Sequence, residues 1–178
     1  MRLSSRLLSL FLLLTLSFFL TPAARALGPG GDVYFGYSHI GSNLFYPNEP
    51  GLNGWQLTGH VKFMPFVGVE GDVAHYGIGA SSSTPRTTTV LFGPRVTVGP
   101  PPVHLFVHAL LGGEHSANSG GPIPISGDAM AVDFGGGGDV RIAPFFAWRV
   151  TLDYLNAPTQ TTQNPGHTRF GTGLVFRF

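Results

Sequence analysis

A chain of 178 residues with 26 glycines, 15 prolines, no cysteine and only 11% charged residues has the length of one domain and cannot form disulfides or thiolate metal sites. Its formal charge of +1 rests on Arg2, Arg6 and Arg25. Without those three, seven basic residues face nine acidic ones, a balance of −2, so no polybasic patch is left to recognise nucleic acid.

The chain begins with Met1-Arg-Leu-Ser-Ser-Arg6, continues as an apolar run from Leu7 to Leu20, and reaches small residues at Ala24-Arg25-Ala26. A run of about fourteen residues is short of the roughly twenty that span a bilayer. A positive start, a short apolar stretch and a small-residue cleavage site predict a signal peptide over 1–26, which leaves 27–178 as the folded domain.

Eight segments with the period of a strand follow. They are expected at Asp32 to Ile40, Gly54 to Met64, Phe66 to Tyr76, Thr87 to Val98, His104 to His115, Ala129 to Ile142, Phe145 to Leu155 and Thr168 to Phe178. Their connections alternate in length. Asn43 to Asn53, Gly77 to Arg86, Ser116 to Asp128 and Asn156 to His167 are long and polar, whereas Pro65, Gly99-Pro-Pro-Pro102 and Ala143-Pro144 are short. Small membrane barrels have short periplasmic turns and longer outer loops, so this alternation places both termini in the periplasm.

Within each strand the charges take one parity and the large apolar residues the other. Lys62, Glu70, Asp72, Arg95, Glu114, Asp133, Asp139, Arg141, Arg149, Asp153, Arg169 and Arg177 are assigned to one face, and Val33, Phe35, Leu57, Val69, Phe92, Val107, Phe134, Trp148 and Leu152 are among those on the other. Asp32, Glu49, Arg86 and Asp128 are read as loop or strand-end residues. A soluble barrel would carry its charges outside at about a quarter to a third of the surface, far above the density available here. A charge on the lipid side near the midplane costs roughly 2–4 kcal/mol, which explains an outer face kept bare of them. The fold expected is therefore all-β, an eight-stranded antiparallel up-and-down transmembrane β-barrel. Aromatic residues near the strand ends, with Phe63, Phe146, Trp148, Phe176 and Phe178 at one rim and Trp55, Tyr154 and Phe170 at the other, complete the pattern as interfacial girdles.

The twelve charges assigned inward are six basic and six acidic. An eight-stranded interior is just wide enough for side chains to fill it, so these groups are expected to neutralise one another in a packed polar network, with a continuous pore disfavoured. His60 and His108 are expected to join that network, and inward glycines such as Gly36, Gly54, Gly93 and Gly171 to make room for long side chains.

The final segment ends on Leu174, Phe176 and Phe178 at alternating positions, and so resembles the C-terminal strand that the barrel-assembly machinery reads in bacterial outer-membrane proteins. With leader, eight strands and polar interior, the whole chain after residue 26 resembles the small outer-membrane β-barrel family that includes the OmpA transmembrane domain and OmpX. The resemblance implies residence in the outer membrane of a Gram-negative cell, contact with outer-membrane lipid and lipopolysaccharide, and an extracellular ligand held by the loops. The peptidoglycan-binding domain that follows the barrel in OmpA-type proteins is not expected.

Chemistry-bearing motifs are few. The seven histidines lack the close spacing of ligand sites, so no metal site is expected. Gly135-Gly-Gly-Gly138 has no helix behind it to cradle phosphate, and it reads as a place where a strand bends and neighbours pack. Some eight-stranded barrels modify lipid A, and Tyr37-Ser-His39-Ile-Gly-Ser42 offers an outward His near a Ser, but no outward carboxylate completes a triad. No cofactor motif appears. The reading is a non-enzymatic barrel acting through four outer loops, with a narrow porin-like channel as the first alternative and a lipid A-modifying enzyme as the second.

Overall fold

The computed structural model describes residues 30–41, 51–78, 86–118, 125–157 and 166–178. The expected signal peptide and most of the four long connections lie outside the described residues. Those described form eight strands: β1 (Gly31–Ile40), β2 (Leu52–Lys62), β3 (Val67–Tyr76), β4 (Arg86–Val98), β5 (Val103–Asn118), β6 (Ile125–Ala143), β7 (Phe146–Asn156) and β8 (Gly166–Arg177). Each pairs antiparallel with the next, and β1 pairs with β8 through register partners such as Phe35↔Leu174, so the sheet closes with no edge at its waist. Closure satisfies the backbone groups that lipid cannot, and an eight-stranded antiparallel up-and-down barrel is the fold.

Alternation puts one residue set on each side of the wall. Phe35, Leu57, Phe92, Val107, Phe134 and Leu152 project outward and are exposed. Tyr34, Thr58, Leu91, Phe106, Asp133 and Thr151 project inward and are buried. The outward set forms a continuous apolar band far larger than the few-hundred-Å² patch a soluble monomer carries, the surface a hydrocarbon solvent requires. Aromatic rings line both rims: Phe146 and Phe178 flank Phe176 with centroids 5.6 and 6.4 Å away, and Trp55 lies 6.3 Å from both Phe35 and His75.

The interior is layered, and here the structure departs from an all-polar filling. Ile40, Ala74, Tyr76, Leu91, Leu110, Ala131 and Leu155 are buried as an apolar layer under the rim from which the long connections leave. The charged residues lie below it. At the opposite rim sit the three short turns and the meeting of the ends, where Gly31 N–H donates to the Phe178 carbonyl at 3.1 Å.

The β5–β6 hairpin is longer than its sequence pattern suggests. Ser116, Ala117 and Asn118 pair with Gly127, Ser126 and Ile125, inside a stretch expected to be loop, and Asp128 belongs to β6 opposite His115. Main-chain pairing needs no alternation of side chains, so a run of Ser, Ala, Gly and Asn carries a ladder without the periodic signal that marks one. The last pair between β6 and β7 is Val132↔Asn156, so Ile125–Ala131 continues past it for seven residues with β5 as its partner among the described residues. At about 3.4 Å per residue that tongue is about 24 Å long.

Candidate functional site

The chemically distinctive region is the buried charge network in the barrel lumen, and strand register builds it. Asp139 lies directly opposite Arg149 on β7, Asp153 opposite Arg169 on β8, and Asp32 opposite both His60 on β2 and Arg177 on β8. Asp139–Arg149 and Asp153–Arg169 meet directly as ion pairs and Asp32 meets the His60 imidazole, whereas Arg177 reaches past Asp32 to Asp139.

In the half nearer the short turns, Arg149 donates from Nε and Nη2 to the two oxygens of Asp139 at 2.7 and 2.9 Å, and from Nη2 to Asp32 Oδ1 at 2.8 Å. Arg95 Nη1 donates to Glu70 Oε2 at 2.7 Å and to Asp32 Oδ1 at 3.4 Å, while His60 Nδ1 donates to Asp32 Oδ2 at 2.9 Å. The Phe106 ring lies 3.7 Å from the Arg95 guanidinium carbon and 4.7 Å from that of Arg149. Two like charges are thereby held near one electron-rich ring. Gly137 makes this possible, because a Cβ there would stand 2.9 Å from the Phe106 ring.

In the upper half Arg169 is the hub. Its Nε donates to Asp153 Oδ2 at 3.0 Å, its Nη1 to Asp72 Oδ1 at 2.9 Å, and its Nη2 stands 2.8 Å from Asp133 Oδ2. Gln56 Nε2 donates to the second oxygen of Asp72. His108 joins the halves: Nδ1 donates to Glu70 Oε1 at 2.9 Å, and Nε2 faces Asp153 Oδ1 at 3.2 Å and Asp133 Oδ1 at 3.6 Å. Buried ion pairs recover their desolvation cost only through such multiple, well-aligned contacts.

Of the charges assigned inward, Glu70, Asp72, Arg95, Asp133, Asp139, Arg149, Asp153 and Arg169 are brought together and buried. Arg177 reaches Asp139 at 2.8 Å from the lower mouth and also donates to His104 Nδ1 at 3.2 Å. Lys62 is half-buried at that mouth; its main-chain N–H donates to the Gly30 carbonyl at 2.8 Å, and its ammonium forms no salt bridge among the described residues. Glu114 accepts from Ser116 at 3.1 Å near the opposite rim, apart from the network. Arg141 does not belong to it: a bulge between Arg141 and Ala143 ends the regular pairing, and the exposed guanidinium turns to the carbonyls of Ala143 and Pro144 at 3.4 and 3.0 Å. Asp32 differs in the other direction. Read as a strand-end residue, it is 5% exposed and is held by Arg95, Arg149 and the His60 imidazole. Its parity, opposite to Val33 and Phe35, was the signal that pointed to it.

On the outer wall, His39 Nδ1 donates to Asn53 Oδ1 at 2.8 Å, the same oxygen that Tyr37 OH engages. The other side of the ring lies against Gly51, where a Cβ would stand 2.7 Å from Nε2. Ser42, the nucleophile a triad there would need, is outside the described residues.

No family model matches the chain, and no curated protein sequence matches it. Solved structures do. Neisserial surface protein A superposes with a TM-score of 0.69 at 11% identity, over 84% of this chain and 97% of that one. Ail, the attachment invasion locus protein of Yersinia pestis, gives 0.58 at 19% identity over 85% and 100%. The N-terminal β-barrel domain of Pseudomonas aeruginosa OprF gives 0.59 at 16% identity over 85% and 98%. The chain thus has the fold of small eight-stranded outer-membrane barrels, end to end in its partners' length.

Proposed function

We propose that this chain is a non-enzymatic outer-membrane barrel with a closed lumen, working as a structural and surface-contact protein through the connections at its upper rim. The observation that carries this reading is the filling of the lumen. Arg95, Arg149 and Arg169, the largest inward side chains, are at most 1% exposed and sit on carboxylates from neighbouring strands, with an apolar layer above them.

Several features support the placement. The apolar outer band and two aromatic rims fit a bilayer. The short turns and both strand ends share one rim, which is the periplasmic arrangement of small barrels. Leu174 and Phe176 on β8 and Phe178 just past its end are exposed on the outer side as a recognition strip for the assembly machinery. The upper rim then meets lipopolysaccharide, and the β5–β6 tongue, with a strand edge that β7 does not cover, is an element suited to contacting an extracellular ligand. Ail has been solved with the heparin analogue sucrose octasulfate, so a barrel of this fold meets a polyanionic glycan mimic. In this chain Arg86 is an exposed cation at that rim.

The test is single-channel recording of the refolded chain from residue 27 in planar bilayers, with heat-modifiable gel mobility to establish that the barrel has formed. A folded and silent barrel is the expected result. Discrete, voltage-stable openings would replace this reading with a narrow channel lined by Arg95, Asp133 and Arg149.

A further inference from the structure

We propose that the upper lumen holds a divalent transition cation, zinc by its chemistry, between His108 on β5, Asp133 on β6 and Asp153 on β7. The three ligand atoms, His108 Nε2, Asp133 Oδ1 and Asp153 Oδ1, lie within 4.8 Å of one another. All three are buried, and none has a hydrogen-bond partner among the described residues. The two carboxylate oxygens stand 3.2 and 3.6 Å from the imidazole nitrogen, which brackets the roughly 3.3 Å between donor atoms on a tetrahedral zinc with bonds of about 2.0–2.1 Å.

The surroundings orient these atoms as a metal site's outer groups do. Glu70 Oε1 accepts from His108 Nδ1, which directs the Nε2 lone pair at the two aspartates, the carboxylate–histidine arrangement behind many bound metals. Arg169 donates from Nε to Asp153 Oδ2 and pairs by charge with Asp133 Oδ2, 2.8 Å from Nη2, which leaves the Oδ1 atoms of both turned toward the imidazole. Gly135 pairs with His108 on one side and Asp153 on the other, and a Cβ there would stand 2.7 Å from the Asp153 Cα and collide with the Asp153 carboxylate. The absence of a side chain at residue 135 is therefore what makes room for the site.

Charge points the same way. Asp72, Asp133 and Asp153 surround a single arginine in this half of the lumen, an excess of two negative charges that a dication removes. One imidazole and two carboxylates suit zinc, which takes nitrogen and oxygen donors in fours, better than calcium or magnesium, which take oxygen alone. The fourth position is left for water. The apolar layer of Tyr76, Leu91, Leu110 and Leu155 roofs the lumen, so the ion enters as the barrel folds and acts as a structural element.

The experiment is to refold the chain from residue 27 in detergent with equimolar zinc or with EDTA, desalt it, and measure bound metal by elemental analysis alongside heat-modifiable mobility and the thermal transition. The expected result is one zinc per folded chain and a higher transition than the EDTA sample. Cobalt refolding should give the intense visible bands of a tetrahedral site. Asp133→Asn and His108→Gln should abolish stoichiometric binding, Glu70→Gln should weaken it by about 10–100-fold, and His115→Ala at the outer rim should leave it unchanged. A wild-type barrel that folds with equimolar zinc and retains well under one ion, or a folded Asp133→Asn barrel that retains as much as wild type, would overturn the proposal. His108 would then close the cluster as an imidazolium.

Discussion

Arg149 and Arg141 carry the same charge and the same sequence parity, yet their surroundings give them opposite weight. Arg149 is the shared cation of Asp32 and Asp139, and removing it strands two carboxylates in the lumen. Breaking a buried pair by deleting one partner costs about 3–5 kcal/mol, so Arg149→Ala should lower the urea midpoint of the detergent-folded barrel by a corresponding amount. Arg141→Ala removes only hydrogen bonds to carbonyls of its own exposed turn, and the same titration should leave its midpoint within experimental scatter. An equal loss in both variants would remove the distinction drawn between lumen and rim. Parity in the sequence put both arginines inside. It places a side chain on a face, but Arg141 stands at the rim end of β6, where its guanidinium turns to the carbonyls of the adjoining turn and not to the lumen.

At the level of the strand, depth in the wall sets the cost of a change. Leu57 sits at the middle of β2, opposite Phe35 on β1 and Val73 on β3, while Phe63 lies one residue beyond the end of β2 at the lower rim. Leu57→Arg is expected to cost about 2–4 kcal/mol and Phe63→Arg about 0–1 kcal/mol, measured as refolding equilibria in lipid vesicles. Equal costs would mean that the outer band does not lie in hydrocarbon. The β5–β6 tongue is a separate case. Ile125–Ala131 has no β7 partner in the strand register among the described residues, so replacing residues 116–127 by a two-residue turn should leave heat-modifiable mobility unchanged and lower the unfolding midpoint only slightly, through the Ser116 contacts to Thr87 and Glu114. Any extracellular contact made by the tongue should be lost in that variant. Sequence reading stopped both strands short there because Ser116, Ala117, Ser126 and Gly127 give no alternation, although the ladder runs through them.

For the molecule as a whole, the feature that bears on the proposed function is the filling of the lumen. An ion crossing it must pass the Arg149–Asp139 and Arg169–Asp153 pairs and then an apolar layer in which Leu91, Leu110 and Leu155 are no more than 2% exposed. Replacing the layer is the informative perturbation: Leu91→Ala with Leu110→Ala should lower stability by several kcal/mol through lost packing. The same double variant is expected to stay silent in planar bilayers, because the charge network beneath it remains intact. Conductance appearing in it would show that the apolar layer alone seals the barrel.

What the sequence determined by itself was the wall. A period of two, charges confined to one parity and connections alternating in length are local properties, and they define eight strands, their facing and the end at which the turns lie, since a one-residue slip would carry every charge into lipid. The tertiary structure decided what meets inside. His108, Asp133 and Asp153 are separated by 25 and 20 positions in the chain and carry no shared spacing, and only the registers of β5, β6 and β7 around Gly135 bring them to one point. The same holds for Asp32, which becomes a hub of the network because barrel closure lays β1 beside β8 and opposite β4 across the lumen. Alternation is a one-dimensional signal, whereas a site in a barrel lumen is set by stagger between strands and by reach across the barrel.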